Sequence, residues 1–298
     1  MSNKKVVFAE SALVFVTIIW GLGFPITKIA VNNGFETNTI MVARFLTASI
    51  ILSAIYFRRF KNINRQILKY GIITGVFLFL GFYFQTLGSA FTTPSKNGFI
   101  TQLNIVFVPF LYFSFFKKKV DLYNVISVLI ALIGMAILMY DDGFLGQINK
   151  GDLYTFICAI MVAFHVVTSS FYQKKYDFDP ALFVLINIIV AMVFSLILML
   201  LFESIPGNLS VIDLWPLIFL GVLNTALGFL VQSYALKISV PTRISLIVAL
   251  EAVFAAIGSV LIINEVLSVQ IVIGGILIIS GILITELKPF NSKTIKLT

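Results

Sequence analysis

The chain has 298 residues, 59% of them hydrophobic and 11% charged, where an ordinary soluble domain carries about 25% charged residues. That balance excludes a soluble globular protein, and one His and one Cys exclude a His/Cys metal cluster and an internal disulfide. The formal net charge of +8 points to nucleic acid only until the basic residues are located.

Taken in chain order, apolar runs of spanning length lie near 6–31, 38–57, 67–89, 95–116, 121–140, 152–173, 180–203, 212–236, 243–263 and 268–286. Each is close to the ~20 residues that carry a helix across a hydrocarbon core. Strand alternation is absent, so backbone satisfaction in lipid predicts helices throughout. The first run follows Lys4 and Lys5 but is too long for a signal-peptide core. It continues through Trp20 and Pro25 without a small-residue cleavage site, so it reads as a helix. The connections are short, and the whole of 1–298 reads as one membrane domain.

With the N-terminus in the cytoplasm, the cytoplasmic segments take 17 Lys and Arg, from Lys4 to Lys296, and the outer loops take only Lys96 and Lys150. Lys28 and Arg44 are left inside spans. This asymmetry predicts both termini in the cytoplasm and an even number of spans in the cytoplasmic membrane. The basic excess is a topology signal, not a nucleic-acid footprint.

Residues 80–96, LGFYFQTLGSAFTTPSK, align without a gap on residues 227–243, LGFLVQSYALKISVPTR. The offset of 147 pairs Gln85 with Gln232, Pro94 with Pro241, Lys96 with Arg243, Leu103 with Leu250, Phe107 with Phe254 and Gly134 with Gly281. Upstream, small gaps bring Trp20 to Phe164. The reading is an internal repeat, about 6–140 and about 152–286, of five helices each. Five is odd, so the second half sits inverted relative to the first, a plan that suits alternating access.

Buried-looking polar residues mark the candidate path. Helical spacing aligns Gln85 with Thr74, Leu78, Gly81 and Gly88, and Gln232 with Gly221, Thr225 and Gly228. The two glutamines are either structural glue between helices or a pair lining a central path. Asn97, Thr101 and Asn104 follow at i, i+4 and i+7, which predicts one shared face of the fourth span. The repeat carries Asn104 onto Glu251, the one carboxylate deep inside a span. A carboxylate there must face a cavity, find a partner or be protonated. Three readings of Glu251 stay open: proton-coupling group, binder of a substrate amine, or structural acceptor. Arg44 suits a substrate carboxylate or phosphate or a gating role, or else it snorkels or caps a helix end, the reading that Lys28 suits better. His165 is a candidate for the path or a bonded interior residue, and Trp20, Tyr83, Phe164 and Tyr234 are candidates for aromatic walls. Gly71 and Gly75 suit internal packing or dimerisation, so monomer and homodimer both remain open. No HExxH, GxSxG or P-loop is present, and Asp141-Asp142-Gly143 reads as a turn, so no enzyme, catalytic residue, metal or cofactor is expected.

Trp20-Gly21 with Phe24-Pro25 and Lys28, Arg44-Phe45, TPSKNGFIT (93–101) and VPTRISLIVALE (240–251) occur here in that order. With them, the chain resembles the drug/metabolite transporter superfamily, EamA type, over nearly its whole length. The resemblance implies ten helices as 5+5 and a small-molecule substrate moved through the bilayer, most simply amino acids or related metabolites exported from the cell. Such proteins usually carry Glu-Pro in the ninth helix; here the pair is Glu251-Ala252, which removes a proline hinge. Efflux of lipophilic cations suits an aromatic path with one carboxylate. A nucleotide-sugar or phosphorylated-sugar exchanger would need more cations than Lys28 and Arg44 supply. Outside transport, a membrane scaffold is the alternative.

Overall fold

The computed structural model describes residues 3–117, 122–139, 149–204 and 211–286. The expected Asp141-Asp142-Gly143 turn lies outside the described residues, as do Lys118, Lys119, Lys288, Lys293 and Lys296 of the charge count. The described residues form helices and short connections, with no strand among them. They are α1 (Asn3–Asn32), α2 (Thr37–Tyr56), α3 (Arg65–Phe91), α4 (Pro94–Thr101), α5 (Asn104–Phe116), α6 (Leu122–Met139), α7 (Lys150–Tyr176), α8 (Pro180–Phe202), α9 (Trp215–Phe219), α10 (Gly228–Ile238), α11 (Pro241–Ile263) and α12 (Val269–Glu286). Among the described residues, 8 helical stretches are long and apolar enough to cross a membrane. The protein is an all-helical, multi-pass membrane protein.

Two of the expected spans are not simple helices. The fourth is divided between α4 and α5 at Gln102-Leu103, and the eighth joins α9 to α10 through a π-helical stretch, Leu220–Leu227. The stretches Arg65–Phe91, Pro94–Phe116 and Leu122–Met139 recur 147 residues later as Ile212–Ile238, Pro241–Ile263 and Val269–Glu286, with matching bounds at both ends.

Helices pair closely: α1 on α11, α3 on α7 and α8, α2 on α8, and α6 on α12. Small residues set these approaches. A side chain at Gly71 would meet Ile186, and one at Gly75 would meet Val190, so this glycine pair is consumed by packing of α3 on α8. The largest buried cluster joins α1, α2, α3, α7, α8, α10 and α11 around Trp20, Phe45, Leu185 and Phe229.

Polar contacts gather at the two ends. At one end, rich in basic residues, Arg59 pairs with Asp179 at 2.8 Å, Lys237 with Asp177 at 2.8 Å and Arg243 with Glu10 at 3.0 Å. At the other, Lys28 Nζ donates to the Ser89 and Thr92 carbonyls at 2.8 and 3.3 Å, which caps the C-terminus of α3. Lys96, expected in an outer loop, is instead buried in the first turn of α4. The N-terminus of α2 takes no cap from Glu36; its Asn38 and Thr39 amides donate to the Glu203 carboxylate, each at 2.7 Å.

Candidate functional site

Between the two ends lies a central cavity with about 60 Å³ of water-accessible space. It is lined from α1, α2, α3, the α4–α5 break, α7, the π-helical stretch, α10 and α11. A base and an acid face it, Arg44 and Glu251, one from each half of the sequence and both buried.

Arg44 is 2% exposed, so its charge needs partners. Nε donates to Thr225 Oγ1 at 3.0 Å and Nη2 to Asn224 Oδ1 at 2.6 Å. The guanidinium also lies 4.2 Å from the centroid of the Phe82 ring, a separation that favours cation–π attraction. Both hydrogen-bond acceptors come from the π-helical stretch, where the Gly228 N–H bonds to Leu223, five residues back. A π-turn inserts one residue per turn and redirects side chains; here it directs Asn224 and Thr225 at Arg44. The Asn224 carbonyl also accepts from Trp20 Nε1 at 2.7 Å. Gly228 lets the indole lie against the backbone, since a Cβ there would fall 2.3 Å from Trp20 Nε1.

Glu251 is served by the helix break. Leu103, Ile105 and Val106 donate to carbonyls three residues back, at 3.1, 3.1 and 2.9 Å, tightening the turn. Asn104 Nδ2 donates to the Thr101 carbonyl at 2.9 Å, a local side-chain bond that competes with a regular helix. The tightened turn aims Gln102 at the carboxylate, with Nε2 donating to Glu251 Oε2 at 3.1 Å. Arg44 and Glu251 therefore hold separate neutral partners while facing one cavity, a dipolar site with amides and aromatic rings between the charges.

Of the residues singled out from sequence, Trp20, Arg44, Gln85, Thr101, Asn104, His165, Gln232 and Glu251 come together on this cavity. Asn97 and Tyr83 do not. Asn97 is fully buried, with Nδ2 donating to the Gln85 carbonyl at 3.0 Å and to Ser89 Oγ at 2.8 Å. Asn97 and Thr101 do share a face of α4, with Thr101 Oγ1 donating to Asn97 Oδ1 at 3.4 Å, while Asn104 lies beyond the break. Thr101 and Asn104 reach the cavity, and Asn97 is taken up by bonds to α3. Tyr83 packs on Phe79 and Phe84 in a separate groove beside α8. Phe164 stacks on Phe77 behind the cavity wall, and Tyr234 is 37% exposed. His165 Nε2 lies 3.2 Å from Asn187 Oδ1, while Asn187 Nδ2 donates to the Phe183 carbonyl at 2.7 Å. That carbonyl fixes the amide orientation, so His165 Nε2 is the donor and Nδ1 is left as an acceptor.

The family model for EamA-like transporters matches this chain twice, over residues 7–140 and 149–287. The chain belongs to the EamA-like transporter family. An uncharacterized transporter of Archaeoglobus fulgidus is 30% identical over 170 residues, 57% of this chain and 51% of the relative. The chain thus spans about half the length of that relative. The uncharacterized transporter YoaV of Bacillus subtilis is 21% identical over 231 residues, 76% of this chain and 78% of its own. A solved crystal structure superposes with a TM-score of 0.67 over 92% of this chain and 96% of its own length, at 15% identity, a likeness of fold alone.

Within this EamA-like chain, sequence reasoning placed Thr225 on the Gln232 stripe but missed Gln102 and Asn224. Gln102 and Asn224 have no polar mate at the repeat offset, where Ala249 and Phe77 stand. Their importance follows from the break and the π-turn, which no periodicity announces. Their only signal was an amide inside an apolar span, the same signal that singled out Gln85. Among the described residues no group of three or more His, Cys, Asp or Glu could hold a metal ion.

Proposed function

We propose that the protein is a secondary transporter that exports small organic metabolites, amino acids and related compounds foremost, across the cytoplasmic membrane by alternating access. The observation that carries this is the dipolar cavity, with Arg44 for a carboxylate, Glu251 for an amine, and Trp20, Phe82 and Phe229 for an apolar side chain. A zwitterion brings its own two charges and leaves the site neutral overall, which limits the desolvation cost of carrying it.

The architecture we propose is ten spans as two inverted five-helix repeats, about 6–140 and 152–286, with both termini cytoplasmic. The recurrence of three helix bounds at 147 residues supports it, as does the double match of the family model. The basic end, with Arg59, Lys174, Lys175 and Lys237, would face the cytoplasm. Glu251, Asn104, Thr101, Gln85, Gln232, Arg44, Trp20 and His165 would line the path, with Asn97 and Tyr83 as supports behind it. Glu251 meets the solute amine or a coupling proton.

Efflux of lipophilic cations is the second reading, favoured by the aromatic lining and the single carboxylate. Arg44 on the same cavity counts against it. A phosphorylated-sugar exchanger would want several cations, and the cavity lining offers Arg44 alone among Lys and Arg of the described residues.

The experiment is counterflow in proteoliposomes preloaded with a mixture of labelled amino acids, wild type against Glu251→Gln at matched incorporation. One chemical class exchanging with wild type only is the expected result. Exchange of cationic dyes but of no amino acid would move the lead to the second reading, and near-normal exchange by Glu251→Gln would remove Glu251 from the cycle.

A further inference from the structure

A second cavity lies against the first. It is narrow, with about 10 Å³ of water-accessible space between α7, α8 and α10, and it shares His165, Phe229 and Gln232 with the central one. The rest of its wall runs toward the basic end. Ser169 and Gln173 follow His165 along α7, Ser233 and Leu236 follow Gln232 along α10, and Phe183 stands near the start of α8. The two spaces are consecutive chambers, with the rings of His165 and Phe229, 6.0 Å apart, between them.

The smaller chamber is polar where the fold alone does not require it. Ser169 is 3% exposed and Gln173 0%, yet Ser169 Oγ and Gln173 Nε2 have no hydrogen-bond partner. The Ser233 hydroxyl lies 3.2 Å from Gln173 Oε1 and 2.9 Å from the Pro180 carbonyl. A hydroxyl has one hydrogen. Given to the carbonyl, which can only accept, it is lost to Gln173. Turning the amide so that Nε2 donates to Ser233 leaves Oε1 bare instead. Either orientation leaves one end of the Gln173 amide open to the chamber. Each unpaired buried group costs stability, and an apolar lining of the same shape would avoid that cost. Such groups suit a surface that something polar visits.

The repeat gives the chamber a counterpart. At 147 residues, Gln232 corresponds to Gln85 and Leu236 to Ser89. Aligning the starts of α2 and α8, Thr37 on Pro180, sets Asn187 against Arg44. Gln85, Ser89 and Arg44 all line the central cavity. Corresponding stretches of the two halves thus form a wide space on one side and a narrow one on the other. The narrow side is latched at its far end: Lys174 donates to the Ser239 carbonyl at 2.5 Å, Lys237 to that of Phe178 at 2.9 Å and Ser170 to that of Leu236 at 3.0 Å.

We propose that this chamber is the limb of the solute path between the central cavity and the cytoplasm, closed in this conformation. When it opens, Ser169, Gln173 and Ser233 meet the polar part of the solute and the water that travels with it. This rests on the transport reading above, but its test reads access rather than transport. In the full chain carrying Cys158→Ala, Ser169→Cys and Ser233→Cys are made singly. A membrane-impermeant methanethiosulfonate is then applied to either face of sealed vesicles. Both cysteines should react from the cytoplasmic face roughly ten-fold faster than Ser259→Cys, because reaction samples the open population. Ser259 is the control because it is fully buried in α11 and bonded to the Ala255 carbonyl.

Reaction no faster than at Ser259→Cys, or only from the outer face, overturns the proposal. If one cysteine variant fails to insert, the other carries the test. If both fail, Gln173→Leu does: the expected result is a more heat-resistant protein with slower counterflow, and unchanged counterflow overturns the proposal. Failure of the transport reading is separate, since it shows as wild-type vesicles with no counterflow whatever the labelling.

Discussion

The stretch Pro94–Phe116 and the helix Pro241–Ile263 have the same length of 23 residues and lie 147 residues apart, yet one is broken and the other runs through. Both bring a polar side chain to the cavity at the corresponding position, Asn104 in the first and Glu251 in the second. In the first, the side chain bonds its own backbone and the helix yields. In the second, the carboxylate finds its donor on the broken partner, through Gln102. The lesson is a division of labour: an irregular stretch supplies adjustable donors, and a regular helix holds the charge that uses them.

The comparison can be broken at four points. Glu251→Gln removes the charge while keeping the shape, and we expect counterflow to fall by roughly 100-fold, the scale of a lost charge-assisted contact of ~3 kcal/mol. Normal membrane insertion with lost counterflow is the signature to look for. Ala252→Pro would give the unbroken helix a break of its own. Proline removes one backbone bond and clashes with the preceding turn, so thermal unfolding in detergent should show a loss of ~3 kcal/mol. No loss would mean that α11 already yields at that point.

Gln102→Leu leaves one carboxylate oxygen without its donor, at ~1–2 kcal/mol of stability. Because the charge remains, counterflow should weaken more in apparent affinity than in maximal rate. Asn104→Leu is the mildest, ~1 kcal/mol from losing the bond to the Thr101 carbonyl and the long one, 3.4 Å, to Gln102 Oε1. Its informative readout is whether the Gln102-to-Glu251 contact survives when the local competitor for the backbone is gone.

How much of this was legible beforehand depends on the kind of signal. The helices were legible because lipid allows few alternatives to them. Arg44 and Glu251 were legible because a charge inside a span is costly wherever it points. Gln85 and Gln232 stood out because the sequence repeats them. Asn224 and Gln102 were hidden, since their directions depend on a π-turn and a broken helix rather than on regular spacing. Asn97 and Tyr83 lie off the cavity although their helices are regular, because Asn97 is bonded to α3 and Tyr83 packs on Phe79 and Phe84, partners that spacing alone does not reveal.

The Glu203 carboxylate that closes the N-terminus of α2 stands 165 residues after Asn38, the first amide it serves. During synthesis α2 is made long before Glu203 is. Its N-terminal end therefore gains the two amide bonds from Asn38 and Thr39 only after Glu203 has been made, and the first half of the chain made alone would lack them. Joining the two halves in one polypeptide guarantees that the missing piece arrives with the protein that needs it.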